Sequence, residues 1–425
     1  MATLDHRAVA IFPWGDVIEE FLDPLGLDAE DYARRMRGGW LFGYVAALQR
    51  HGRRAVIIHA TERRRRPERL VHAETGAAIW LVPGRRSGQG AAQGRPSVRA
   101  ALQWARTPFR GFARALAREG CDSLLVQDYE HARFDALAAL AGALRLPLDA
   151  TFQGGDVTLS PLEARIRGAS LRRCRSLIVP SARERSRLSA RYRLAPARMH
   201  DIPNPVDASL WRAGPRDAAR QALGVAPGAV LALNHGRIGI HRKGLDVLIA
   251  AWKRAAAAHP AARLVLLGSG QDRDAFARLV ADLPSVDWRS TYVTDPPLIR
   301  RWLSAADLYV TLSRTEGMPV APLEAMACGL PVVASDAHGL ADIFRGGEAA
   351  GGLVVPRGSI EGAAQALAAL LADPARRQRL GRAAREAVEA RYGLEPVGRA
   401  LAALLSGAAS RPRGLTRAAP APAGA

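Results

Sequence analysis

Four side chains in the second half of this 425-residue sequence have the types and spacing to hold an anion and a polyhydroxy group side by side. Glu316 and Glu324 are carboxylates with seven residues between them. Arg237 and Lys243 are cations with five residues between them, each next to a glycine (Gly236-Arg237 and Lys243-Gly244). Two cations can clamp a diphosphate, and a carboxylate can accept hydrogen bonds from a vicinal diol. Cations fixed beside a departing diphosphate stabilise its growing charge more in the transition state than in the ground state. Surface arginine is the ordinary reading in so arginine-rich a chain. Lys243, however, is one of only two lysines, Lys253 being the other, so its place here carries weight.

The elements that must position these groups can be read around them. Leu308 to Leu312 is an apolar run that feeds a polar loop carrying Glu316-Gly317. Pro322 suits the first turn of a helix, where its missing N–H is no loss. That helix can run only to Cys328, because Gly329 is a natural stop and Pro331 cannot continue it. Pro331 to Ala334 is again β-type, so the unit reads strand, loop, short helix, strand. Such a loop lies at the carboxyl end of a parallel strand, where open α/β sheets bind ligands. Gly317 permits close approach of a ligand to the backbone, and N–H groups near Gly317 and Met318 can face an anion or a hydroxyl. Upstream, Val230 to Asn234 predicts a strand, and Lys243-Gly244-Leu245-Asp246 predicts the start of a helix through Leu248 and Trp252. Gly268-Ser269-Gly270 after the strand Arg263–Leu267 reads equally well as a tight turn or as a glycine pair passing close to a nucleotide.

The run EGMPVAPLEAMACGLPVVAS, with Glu316 and Glu324 in it, resembles the paired-glutamate signature of glycosyltransferase family 4, retaining enzymes of the GT-B fold. Gly236-Arg237 and Lys243-Gly244 resemble the same family's Gly-Arg and Lys-Gly motif, with one extra residue between the cations. The resemblance covers most of residues 36–390. It implies an α/β chain of two Rossmann-like doubly wound domains facing a cleft, with an acceptor-binding domain at 1–205 and a donor-binding domain at 206–385. Helices at 386–406 would cross back to the first domain. It also implies transfer of a hexose, with retention, from a nucleoside-diphosphate sugar to a glycan, lipid-linked or other acceptor. No metal or other cofactor is expected. Arg237, Lys243 and Glu316 are then the catalytic residues. Glu324, Gly317, Met318, Pro319, Gly268, Gly270 and Gly236 line the donor, with Glu324 on the ribose.

The first half fits this reading more loosely. Val9 to Phe12 predicts a strand, Gly38-Gly39-Trp40 opens a helical pattern that ends at Gly52, and Ala55 to His59 predicts the next strand. In the resembled family a Gly-Gly pair at this place lies under the donor phosphates or the acceptor; two glycines for a tight entry turn explain Gly38 and Gly39 as well. Asp128 follows the strand Leu124–Gln127. Gln153-Gly154-Gly155-Asp156 follows the strand Asp149–Phe152, so polar clusters at successive strand ends suggest one wall of a cleft. In the family the second cluster usually reads His-Gly-Asp, the histidine touching the donor sugar or its phosphate. Gln153 can donate a hydrogen bond there but cannot carry a proton or a charge. His338 either touches the sugar or caps a loop. Asp128, Gln153, Asp156 and His338 join Gly38 and Gly39 as sugar- or acceptor-side candidates. Asp201 to Asp207, DIPNPVD, resembles the family's interdomain segment, with Pro205 where glycine is commoner.

Composition adds limits. Hydrophobic content of 48% suffices for two cores, and no apolar run reaches membrane-spanning length. Cys121, Cys174 and Cys328 fit neither a disulfide framework nor a metal cage, and the N-terminus lacks a signal-peptide pattern. A cytoplasmic protein is expected. The net charge of +20 is uneven: residues 1–200 hold 33 arginines against 20 acidic residues, a net of +13. An arginine-rich first half suits peripheral contact with an anionic membrane surface, a phosphorylated acceptor or nucleic acid, although no nucleic-acid module is present. The run 62–69, ERRRRPER, reads as a solvated loop, 84–96 as a mobile one, and 407–425 as a disordered tail. Two other classes compete with a transferase. A GT-B epimerase or hydrolase would want an ionisable base where Gln153 stands. A non-catalytic arginine-rich scaffold predicts a decayed donor site, whereas all four charged residues are present.

Overall fold

The computed structural model describes residues 7–37, 39–86, 104–131, 133–154, 161–291 and 295–406. Gly38, Asp156, most of the 84–96 stretch and the 407–425 tail lie outside these residues. Two parallel-rich sheets form, one from each half of the chain. The first runs in the order β3-β4-β2-β1-β5-β6-β7-β8. Its strands are β1 Ala8–Phe12, β2 Arg54–Thr61, β3 Glu68–Val71, β4 Ala78–Pro83, β5 Cys121–Gln127, β6 Leu148–Thr151, β7 Ser176–Ile178 and β8 Met199–His200. Only the β3–β4 pair is antiparallel. The second sheet is wholly parallel, in the order β11-β10-β9-β12-β13-β14. It is built from β9 Val230–His235, β10 Ala262–Leu267, β11 Val286–Arg289, β12 Leu308–Thr311, β13 Val332–Ser335 and β14 Gly352–Val355.

The strands form where apolar, β-branched runs can be buried on both faces. Strands β1, β12 and β13 are buried at every position, as parallel strands covered by helices on both sides must be. Each sheet carries a core cluster on either face, so four clusters hold the chain. Strand order reverses between β1 and β5 in the first sheet and between β9 and β12 in the second. Those two crevices are where the topology leaves room for ligands.

The arginine-rich run is a largely exposed loop through residue 67, as expected of it, and its last two residues, Glu68 and Arg69, begin the edge strand β3. Three of its five arginines pair with acidic residues: Arg63 with Asp23, Arg64 with Glu30 and Glu68, and Arg69 with Glu119. Glu119 is buried, and it also receives Arg54 and the Trp80 indole at 2.9 Å. A buried carboxylate must find donors, and this one gathers them from three strands.

Chain crossings tie the halves together. Residues 201–207 run from β8 to the second half. The chain then returns through helix Pro374–Ala387 and a π-helical turn, Val388–Tyr392, to helix Leu394–Leu405. This last helix presents Leu394, Val397, Leu401, Leu404 and Leu405 to the core that contains Leu41, Val45 and Leu48 of helix Gly39–Arg50. The outgoing and returning strands touch: Val206 N–H donates to Tyr392 O at 2.8 Å, and Val206 bridges to Gly393. Among the described residues no helix is long and apolar enough to cross a membrane. Leu401 is fully buried between the two helices. Leu401→Ala should therefore lower unfolding stability by about 2–5 kcal/mol in urea titration, although the residue lies far along the chain from the first half that it stabilises.

Candidate functional site

The four charged residues singled out by the sequence meet at the reversal point of the second sheet. Strand β9 ends at His235, and Gly236-Arg237 leaves it. A short helix, Ile240–Lys243, follows and stops at Gly244, which takes a left-handed conformation (φ 62°) before helix Leu245–Ala256 begins. Lys243 thus lies at the end of a short helix, one residue before the long one, and not in the long helix's first turn as the sequence suggested. Only glycine fits at 244, because a Cβ there would lie 2.0 Å from Leu312 O. The backbone of β12 and of the turn after it therefore lies directly against the lysine-bearing turn. Arg314 N–H donates to Arg242 O at 2.8 Å, and the Arg314 guanidinium binds Asp246 through both nitrogens at 2.7 Å.

Across this junction Lys243 Nζ donates to Glu316 Oε1 at 2.6 Å, and Ser313 Oγ donates to the same oxygen at 2.7 Å. Glu316 is buried and the lysine about one-third exposed, so the pair borders solvent. Arg237 is exposed and has no hydrogen-bond or ion-pair partner among the described residues. Glu324 lies one turn into helix Ala321–Ala327, which has Pro322 in its first turn and ends at Gly329 (φ 77°), as its sequence predicted. Its carboxylate is buried and accepts from His235 Nε2 at 2.8 Å. Gly268 and Gly270 abut the loop after β9; Cβ atoms on them would fall 1.9 Å from Gly236 O and 2.1 Å from Ile238 O. Their smallness brings that loop close, whatever else they face.

The first sheet meets this site main chain to main chain. A Cβ on Gly317 would lie 2.4 Å from Gln153 O, and one on Gly154 would lie 2.5 Å from Gly317 N. On the side where a Cβ would project, Gly317 is closed off by residues 153–154. The Gln153 side chain forms a reciprocal amide pair with Asn204, at 3.1 and 3.0 Å, and Asn204 Nδ2 also donates to Met318 O at 2.9 Å. Met318 is buried and Pro319 half-buried. His338 accepts from Arg183 in the helix Ala182–Tyr192 of the first half. A guanidinium only donates, so Nε2 must be bare; burial, with Arg183 and Arg357 nearby, lowers the imidazole pKa and favours that neutral form.

Both the sequence and the fold have counterparts among known proteins. The family profile described as Glycosyltransferase Family 4 matches residues 40–210, and that described as Glycosyl transferases group 1 matches residues 230–373. The chain belongs to glycosyltransferase family 4. D-inositol 3-phosphate glycosyltransferase 1 of Catenulispora acidiphila is 33% identical over 244 residues, 55% of this chain and 58% of that protein. A GDP-mannose-dependent monoacylated alpha-(1-6)-phosphatidylinositol monomannoside mannosyltransferase of Corynebacterium glutamicum is 33% identical over 194 residues, 43% of this chain and 50% of that protein. This chain spans about half the length of the curated relatives it matches. Among solved structures, sucrose-phosphate synthase from Thermosynechococcus elongatus superposes with a TM-score of 0.71 at 20% identity, covering 95% of this chain and all of that one. HepE of Anabaena in complex with UDP gives 0.69 at 17% identity, covering 94% and 100%. The fold of this family 4 chain is GT-B.

Against the family pattern, the remaining candidates fall in different places. Gln153, where family 4 usually has histidine, is occupied with Asn204. Gly39 begins helix Gly39–Arg50, the entry position that two glycines allow. Asp128 sits apart, at the reversal point of the first sheet. It lines a small pocket with Asp16, His59, Gln127, Arg133 and Phe134, at the carboxyl ends of β1, β2 and β5. Its φ of 79° is left-handed, and its Oδ1 accepts from Glu130 N–H at 3.0 Å. His235 is the member of the site that sequence reasoning missed. It was passed over as the residue after a strand, and its partner lies 89 positions away. The available signal was a polar residue at a strand end, directly before Gly-Arg.

Burial raises the Asp128 pKa from 3.8 to about 7. Below about pH 4 the carboxyl is protonated in both folded and unfolded chains and carries no penalty. Between there and pH 7 the unfolded chain releases the proton that the folded chain keeps, so stability falls as pH rises. Asp128→Asn should match the wild type in thermal unfolding near pH 4 and exceed it near pH 8.

Proposed function

We propose that this protein is a retaining glycosyltransferase that moves a hexose from a nucleoside-diphosphate sugar to a glycan or lipid-linked acceptor. The observation that carries the reading is the grouping of Arg237, the Lys243–Glu316 pair and Glu324 around one reversal point. Arg237 and Lys243 take the diphosphate. Glu324 takes the ribose hydroxyls, and Glu316 with the backbone near Gly317 and Met318 faces the sugar. As the sugar–phosphate bond breaks, negative charge grows on the leaving group where the cations stand. The acceptor oxygen attacks on the face that the diphosphate leaves, which preserves configuration and needs no carboxylate nucleophile. No metal is required, because the positive charge comes from side chains. The first half takes the acceptor, with the pocket around Asp128 as a candidate wall.

Donor identity is open to direct test, since one relative is named for GDP-mannose and one fold neighbour was solved with UDP. Thermal unfolding against UDP, GDP, ADP and their sugars should show one nucleotide stabilising the wild type, by roughly 2.7 kcal/mol at a hundred times its dissociation constant. Glu324→Ala should lose that stabilisation. If no nucleotide stabilises the wild type, the donor-site reading fails and a scaffold role takes its place.

Arg237→Ala is the cleaner probe of charge stabilisation, because the arginine has no partner among the described residues to strand. It should leave the melting temperature unchanged and cost about 2–4 kcal/mol of barrier, read as kcat/KM for transfer. The arginine excess of the first half further suits peripheral attachment to an anionic inner membrane face.

A further inference from the structure

We infer that His235 is a positioning residue: its Nε2–H holds the Glu324 carboxylate in place and so sets affinity for the nucleoside part of the donor. The inference rests on the reading above, in which Glu324 receives the ribose hydroxyls.

The geometry is specific. An ionised carboxylate only accepts, so the 2.8 Å contact between His235 Nε2 and Glu324 Oε2 requires the proton on Nε2. No other donor reaches the Glu324 side chain among the described residues, which leaves Oε1 without a protein partner. A glutamate side chain has three rotatable bonds, and one without a donor would spread over several rotamers before meeting a ligand. The imidazole, in contrast, is fixed from the strand side. His235 ends β9 in register with Leu267 of β10. Its N–H donates to Tyr309 Oη at 3.3 Å, and its carbonyl accepts from the same hydroxyl at 3.2 Å. The Tyr309 ring meets the imidazole edge-on, with centroids 5.4 Å apart.

This side-chain bond joins the two sides of the reversal point, as the Lys243–Glu316 pair does at its solvent edge. The end of β9 holds the helix that follows β12, and the carboxylate on that helix is presented with one oxygen free. The buried Nδ1 has no hydrogen-bond partner among the described residues. A histidine retained only to fill apolar space would have no reason to leave that nitrogen bare while directing the other at a carboxylate.

Glutamine and asparagine separate the two nitrogens. The side-chain amide nitrogen of His235→Gln reaches about as far as Nε2, whereas that of His235→Asn reaches only as far as Nδ1. Using whichever of UDP, GDP and ADP binds the wild-type chain, affinity would be measured by calorimetry for both variants and for Glu324→Ala. His235→Asn should weaken binding roughly 10- to 100-fold, the worth of one hydrogen bond to a charged group. His235→Gln should restore most of it. In turnover, the donor KM of His235→Asn should rise by a similar factor while kcat changes far less. The inference alone is overturned if Glu324→Ala loses nucleotide affinity and His235→Asn does not. It is also overturned if Gln and Asn weaken binding equally and both lower the melting temperature, which would mark a purely structural histidine. Should Glu324→Ala bind as tightly as the wild type, the ribose reading falls and this inference falls with it.

Discussion

The architecture depends on a contact that has no side chains in it. At Gly154 and Gly317 the backbones of the two sheets lie closer than any Cβ would allow. Everything at the site is set relative to that contact. It fixes the loop carrying Glu316, and the adjacent Gln153–Asn204 amide pair fixes the Met318 carbonyl beside it. Main-chain contact of this kind is intolerant of sequence change but needs no chemical complementarity.

Within the second half, Lys243 rests on Glu316 at the edge of solvent, while Arg237 has no partner among the described residues. In the proposed donor complex, a diphosphate between them would meet one unpartnered cation and one already ordered by a carboxylate. That lysine has little conformational entropy left to lose, which would reduce the cost of binding. Glu316 also holds the Ser313 hydroxyl, so it would keep its position if the lysine turned to the diphosphate.

Much of this was legible in the sequence, for identifiable reasons. The strand–loop–helix–strand unit around Glu324 is written in proline and glycine, whose backbone demands are local, and its boundaries fall where those residues put them. Lys243 was legible because lysine is rare in this chain. What could not be read depends on distant pairing. His235 gains its meaning from a residue 89 positions on, and Gln153 from Asn204, 51 positions on. The run at 62–69 is mostly the solvated loop it looked like, but the ion pairs of Arg63, Arg64 and Arg69 could not be read, because their partners Asp23, Glu30 and Glu119 lie elsewhere in the chain. Gly317 was legible as a position of close approach, but no local signal said that the chain after another strand would lie against its Cα.

The double crossing between the halves has a mechanical consequence. A single tether would let one sheet swing, twist and slide against the other. Here two chain segments pass side by side, joined at Val206, Tyr392 and Gly393, and the second is anchored by the helix Leu394–Leu405. Two adjacent pivots define an axis, as two pins do for a door. The paired segments oppose torsion and sliding, so any separation of the halves would be guided about that line. A returning Gly154 would then meet Gly317 at the same point, its alignment inherited from the hinge.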